Sequence, residues 1–280
     1  MNPYISKFDA DFDAGKSSQY RMAIQFSLGG LSYALLDTES RTLVGLECYQ
    51  LDPMADSVEV FQFLERILEH KGLNDKRFQF VTCLIDDRVC TLVPTVLFEE
   101  KDVQSYLDFS FQLTNEQIIL TDALTMEKCV NVFAISKTLL AKIRLKWPEA
   151  QLHHTSRVFI DSSMKYAPEG KAAFVNVRSR DFDMVIVNNG HLMFFNNFKF
   201  NTKADFAYFL LFAIEQNGFS GTELPVCFSG LIQNSSEIVE LCSRYIKHLL
   251  FVEDQHELQV NPALEEVPYQ YYYIHYQALK

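Results

Sequence analysis

RMAIQFSLGGLSYALLDTESRTLVGLECYQLDPMADSVEVFQFLERILEHKG, residues 21–72, reads as three strands feeding one helix. RMAIQFSL (21–28) is an apolar run that Gly29-Gly30 interrupts. LSYALLD (31–37) and RTLVGLECYQL (41–51) follow, parted by Thr38-Glu39-Ser40. Apolar runs joined by short turns build a meander. Asp52-Pro53 stops it. Ser57 is placed to cap the next segment, in which Val58, Phe61, Phe63, Leu64, Ile67 and Leu68 share one helical face before Gly72 ends it.

The same plan returns at 171–218. KAAFVNVRS (171–179) is a strand, and FDMVIVNNGHLMFFNNFKF (182–200) is a hairpin turning at Asn188-Asn189-Gly190. Thr202 or Asp205 opens a helix that runs through Gln216 to Asn217-Gly218. Between the repeats, RFQFVTCLID (77–86) is a strand and Asp86-Asp87 a turn. CTLVPTVLF (90–98) is extended, with Pro94 confining it to an edge. KDVQSYLDFSF begins a short helix, while EQIILTDAL and KCVNVFAI (128–135) are strands. SKTLLAKIRLKWP (136–148) is a helix capped by Ser136, and QLHHTSRVFIDSSM (151–164) leads to a further short strand. After the Ala167-Pro168-Glu169-Gly170 break and the second repeat come a strand at 224–230, an amphipathic helix at 235–249, a strand in LLFVED and a terminal helix from Pro268. Meanders followed by alternating strands and helices predict an α/β fold of two tandem lobes. Each lobe holds a mixed, five-stranded type of sheet flanked by helices, and the two face a central cleft. The lobes are expected at 1–160 and 161–280, with the last helix packing back on the first.

The net charge of −11 disfavours a phosphate-backbone partner, so nucleic acid is not expected. Six cysteines, none in CxxC spacing and several within strand-like runs, read as reduced buried thiols. The N-terminal MNPYISKFDADFDAGKSS has no apolar signal core. The apolar helix at 206–216 falls short of the roughly 18 residues of a membrane span. A cytoplasmic location is therefore the expectation.

The order of elements resembles the actin-like ATPase superfamily, in which two ribonuclease-H-like lobes enclose a nucleotide. The resemblance is closest to the branch that holds the actin-like assembly protein of type IV pili, and extends to an uncharacterised bacterial family likened to it. VNVFAISKTLLAKIRLKWPEAQLHHTSRVFIDSSM looks like the crossing from one lobe to the next, FVNVRSRDFDMVIVNNGHLMFFNNFKF like the second phosphate hairpin, and LPVCFSGLIQNSSEIVELCSRYI like the adenosine-contacting strand and helix. The resemblance implies cleft positions at Gln25, Ser27, Gly29 and Gly30, at Asn176, Arg178, Ser179 and Arg180, and at Ser229 and Gly230. Active members carry an acid where this chain has Gln25 and Asn176, and glycine where it has Ser27 and Arg178. Neither amide supplies the anionic charge that helps hold a divalent ion. The resemblance thus implies a degenerate cleft, a pseudo-ATPase for which ATP with magnesium is not an expected cofactor.

Other motifs carry less. Gly15-Lys16-Ser17 lacks the earlier glycine and the preceding strand of a P-loop. His153-His154 has no further ligands at metal spacing and reads as solvated. Asp181 and Asp183 read as an exposed polar face, and as the carboxylates on which an altered enzyme would depend. Tyr269, Tyr272, Tyr273 and Tyr276 lie at i, i+3, i+4, i+7, a stripe that packs on the core or docks a partner. The residues therefore name no reaction. They favour a non-catalytic actin-like scaffold or interaction module with a protein partner, itself or another chain. The alternative is a nucleotide-binding ATPase or sugar-kinase-like enzyme with an altered cleft.

Overall fold

The computed structural model describes residues 2–27, 29–52, 54–167, 170–253 and 259–280. Leu28 of the first strand reading, Pro53 and Pro168-Glu169 of the predicted breaks, and Asp254 of LLFVED lie outside the described residues.

In chain order the elements are β1 (Ile5–Phe8), β2 (Tyr20–Ser27), β3 (Gly30–Asp37), β4 (Thr42–Gln50), α1 (Ser57–His70), β5 (Phe80–Asp86) and β6 (Cys90–Pro94). Next come α2 (Val103–Asp108), β7 (Gln117–Ala123), β8 (Cys129–Ser136), α3 (Lys137–Lys146), β9 (Gln151–His154) and α4 (Thr155–Tyr166). The remainder is β10 (Lys171–Val177), β11 (Asp181–Asn188), β12 (His191–Lys199), α5 (Lys203–Gln216), β13 (Val226–Gly230), α6 (Glu237–Cys242), β14 (Leu249–Phe251), β15 (Gln259–Val260) and α7 (Tyr269–Leu279).

Two sheets share one strand order. The first runs β4-β3-β2-β5-β9 and the second β12-β11-β10-β13-β14. In each, the two meander pairings are antiparallel and the next two are parallel. The second sheet has the expected five strands. Among the described residues the first has seven, because β1 and β15 both pair with β4. Those two additions are short and long-range, so no local pattern announces them. A separate three-stranded sheet, β6-β8-β7, follows the first meander. Pro94 ends its edge strand β6, where a missing donor costs no ladder bond.

Local chemistry explains most boundaries. Asn189 and Gly190 both take positive φ (51° and 76°), which closes the β11–β12 hairpin in the hand that matches strand twist. Thr202 caps α5 in a reciprocal capping box with Asp205. α1 is capped by Asp56, not Ser57: the Asp56 carboxylate accepts from Val58 N and Glu59 N, leaving Ser57 as the first helical residue. The stretch after β9 is helix α4 and not strand. His154 accepts from Ser156 N to start the helix, and the Ser162 and Ser163 hydroxyls bond back to Phe159 O. That serine-rich composition hides the helical period. α6 stops at Cys242, short of the predicted 249, as Ser243 Oγ folds back on Glu240 O.

The first sheet packs one face on α1 and α3, through Phe61, Leu64, Leu68 and Ile143. Its other face carries Ala23, Ala34, Leu43 and Leu46, covered by Leu264, Tyr272, Tyr276 and Leu279. The second sheet packs one face on α5 and α6, where Phe182 sits among Phe198, Phe200 and Phe206. Between the sheets, Phe159, Ile160, Phe174, Val185 and Tyr273 form a shared cluster. The tyrosine stripe is thus spent on the interior. Tyr272, Tyr273 and Tyr276 are at most 3% exposed and Tyr269 is half-buried against all three rings, so the stripe offers no outward docking surface. The six cysteines are free thiols. Among the described residues no helix is long and apolar enough to cross a membrane.

Candidate functional site

The parallel strands β2 and β5 of the first sheet, and β10 and β13 of the second, end at one place. Ligand sites of open α/β sheets form beyond such carboxyl ends. A cavity of about 490 Å³ lies there. It is bordered by Gln25 and Ser27 of β2, Gly29, Gly30 and Ser32 of the following turn and strand, and Asp86, Asp87 and Arg88 after β5. Asn176, Val177, Arg178, Ser179 and Asp181 enter from the β10–β11 turn, Gly230 and Leu231 from β13, and Gln270, Tyr271, Ile274 and His275 from α7.

The chain therefore brings Gln25, Ser27, Gly29, Gly30, Asn176, Arg178, Ser179 and Gly230 to a single cavity. Ser229 stands behind them, its hydroxyl donating to Asn176 Oδ1 at 3.1 Å. Arg180 is exposed and outside the lining. Gly230 has φ +84°, and a Cβ there would stand 2.1 Å from the Val177 carbonyl oxygen. The β13 turn thus passes the β10 end at a distance only glycine permits.

The amides at 25 and 176 do not leave the cleft without carboxylates, contrary to the sequence reading. Asp86 is not a free turn residue: it ends β5, is 7% exposed, and accepts from Gln25 Nε2 at 2.8 Å. Asp183 is not on an exposed face but 5% exposed. Both converge with Asp181 on the Arg178 guanidinium. Nη1 reaches Asp183 Oδ2 at 2.6 Å and Asp86 Oδ1 at 3.2 Å, Nη2 reaches Asp183 Oδ1 at 2.9 Å, and Nε bonds Asp181 Oδ1. Asn197 Nδ2 completes Asp183 at 2.9 Å. Four of the five Arg178 N–H donors are thus directed to the chain's own carboxylates.

The two carboxylates feel Arg178 differently. Burial raises the Asp183 carboxyl, but its two-pronged bond to the guanidinium outweighs that and holds it below the usual range. Asp86 has one longer contact and two acidic neighbours, so burial prevails and lifts it to about 6. The Arg178 guanidinium, though buried, is held in its charged form by the three carboxylates. At the α7 wall, burial lowers His275 to about 4, so it meets Ser32 Oγ, at 2.9 Å, as a neutral ring.

A folded-state value above the unfolded one fixes the sign of a pH effect. The native state keeps a proton on Asp86 from about pH 4 to about pH 6 that the unfolded chain has released. The stabilisation this provides is complete below that window and is lost as pH rises through it, on the order of 3 kcal/mol. Asp183 acts with the opposite sign at lower pH. Asp86→Asn, neutral throughout, is expected to flatten the slope between pH 4 and 6 in urea unfolding curves; an unchanged slope would assign it to another group.

The remaining motifs are structural. Residues 14–19, with Gly15-Lys16-Ser17, form a short 3-10 turn capped by Asp13. His153 and His154 are not solvated: His153 Nδ1 meets Asp122 at 3.0 Å, and His154 is buried with Nε2 on Asp87 O at 2.8 Å. Among the described residues no three or more histidine, cysteine or acidic side chains are spaced to hold a metal ion. With a guanidinium at the centre of the acidic cluster, the residues present do not fit a magnesium-bound nucleotide.

A family model described as "Protein of unknown function (DUF3822)" matches residues 9–249. No curated protein matches the chain. Among solved structures, a Bacteroides thetaiotaomicron protein with an actin-like ATPase fold and unknown function superimposes with a TM-score of 0.76 at 19% identity, over 86% of this chain and 93% of that one. A chain of the PilM-PilN type IV pilus biogenesis complex does so with a TM-score of 0.60 at 11% identity, over 92% and 97%. The two sheets of one strand order have the actin-like ATPase fold, and the chain belongs to the DUF3822 family.

Proposed function

We propose that this chain is a non-catalytic relative of the actin-like ATPases that acts as a protein-interaction module. One observation carries the reading: Arg178 fills the acidic cluster of the cleft with a cation of the chain's own. Phosphoryl transfer in this architecture depends on metal-bound phosphate and a positioned nucleophile. Here the carboxylates are committed to the guanidinium, and the positions next to them are the neutral amides Gln25 and Asn176. The similar fold in the PilM-PilN complex supports a role in binding another protein, since that structure is a complex.

Titration with ATP and magnesium, followed calorimetrically and by phosphate release, is expected to give neither saturable heat nor phosphate. Micromolar affinity accompanied by phosphate release would end this reading. It would favour the second one, a nucleotide-binding enzyme with altered cleft chemistry, for which the size of the cavity speaks.

A further inference from the structure

The cavity at the strand ends holds hydrogen-bond donors that the chain itself does not use. Arg88 follows β5 by two residues, lines the cavity and is half-buried. Its guanidinium has no ion-pair or hydrogen-bond partner among the described residues. A cation withdrawn from water is ordinarily paired. From the second sheet, Asn176 lines the same cavity and is 4% exposed. Its Oδ1 is taken by Ser229 Oγ, and its Nδ2 donates to no described residue. Buried amide donors are ordinarily satisfied, so these two idle groups call for an acceptor from outside the chain.

Charge limits what that acceptor is. Asp86, Asp87 and Asp181 line the cavity as well, and Arg178 is bonded to Asp86, Asp181 and Asp183. His275 on the α7 wall is neutral, because burial lowers it to about 4. Among the described lining residues Arg88 is therefore the one cation without a carboxylate partner. One free guanidinium among carboxylates suits a single negative charge. A second charge would face the three acids where water screens repulsion poorly. A planar guanidinium also matches a carboxylate edge through two parallel hydrogen bonds. Much of the remaining wall is apolar: Leu31 and Ile274 are at most 5% exposed, with Leu231 and the Tyr271 ring beside them on the lining. The cavity, at about 490 Å³, falls within the roughly 300–1,000 Å³ of small-molecule sites.

We infer that the cleft binds a small organic monocarboxylate. Its carboxylate pairs with Arg88, its apolar body lies against Leu31 and Ile274, and Asn176 Nδ2 donates to an acceptor on it. Such a ligand satisfies both idle donors and brings neither the second charge nor the metal that the acidic lining disfavours. The inference goes beyond the interaction-module reading and does not depend on it.

Calorimetric titration with benzoate, 3-phenylpropionate and hexanoate tests it, each beside its uncharged amide, with phenyl phosphate as the dianionic probe. At least one carboxylate is expected to bind saturably, and roughly 10-fold or more tighter than its amide and than phenyl phosphate. Arg88→Gln should weaken that binding by roughly 10-fold or more, with the unfolding midpoint unchanged because Arg88 has no partner to lose. Asn176→Asp keeps an oxygen for Ser229 Oγ but adds a negative charge, and should weaken it too. The inference is overturned if no carboxylate binds, if the amides bind equally well, if phenyl phosphate binds more tightly, or if binding is indifferent to both substitutions. Phosphate release from ATP would end the non-catalytic reading without deciding any of these outcomes, so the two can fail independently.

Discussion

Arg178→Ala is expected to lower the free energy of unfolding by about 3–5 kcal/mol, the usual cost of removing one partner from a buried ion pair. The loss comes from what is left behind. Asp86 and Asp183 have side chains 3% and 8% exposed, and neither can recover hydration by turning outward. Asp181, 21% exposed, loses its partner as well but can be solvated. Gln25 donates one hydrogen bond to the cluster and Asn197 two, which does not compensate the charge. Adding Asp183→Asn to Arg178→Ala should therefore return part of the lost stability. A single substitution costing under about 1 kcal/mol in chemical denaturation, the range of exposed pairs, would show that water already screens the cluster.

Gly230→Ala is expected to cost about 3 kcal/mol, from left-handed backbone strain together with overpacking. Two effects act at the same atom. The residue has φ +84°, and the added carbon would overlap Val177 O at 2.1 Å and Val177 N at 2.7 Å. Both obstacles are backbone within the β10–β13 pairing, so relief requires the two strand ends to part. Because Asn176 Oδ1 would lie 2.9 Å from the same carbon, the Asn176–Ser229 contact should be disturbed too. Chemical denaturation measures the loss, and near-wild-type stability would mean that the turn is free to move away. Gly218, also at positive φ but with nothing within 4 Å of its ideal Cβ, is the control that isolates the strain from the clash.

The residues reveal this fold unevenly, for physical reasons. Both meanders are legible because their strands pair with immediate neighbours through turns of recognisable chemistry, as at Asn189-Gly190. The caps at Ser136 and Thr202 are legible because they act within one helical turn. What escapes is long-range or masked. β1 and β15 are short strands whose identity depends on β4. In α4, serines and β-branched residues blur the period until the buried side is seen to hold Phe159, Ile160 and Met164.

The cleft shows the same division. Gln25, Asn176 and Gly230 are indicated by the resemblance to the actin-like ATPases, and the structure brings them to one cavity. The place of Asp86 is masked because the Asp86-Asp87 pair has turn chemistry. The available signal was its position: an acid closing the apolar run FVTCLI, at the carboxyl end of a strand parallel to β2. The burial of Asp183 was not legible, since alternation on a strand does not say which face a neighbouring sheet will cover.

The way the chain finishes its first sheet bears on how it could be divided. β15 pairs with Thr42 and Leu43, Asn261 Nδ2 reaches Leu43 O at 2.7 Å, and α7 covers the face carrying Ala23, Ala34 and Leu46. A nick in the connection between α4 and β10 would leave the two fragments interlocked, each supplying what the other's interior lacks. Split at that point and mixed, the halves should reconstitute one another as complementing pieces, while the front fragment alone would carry a bare apolar face prone to precipitation.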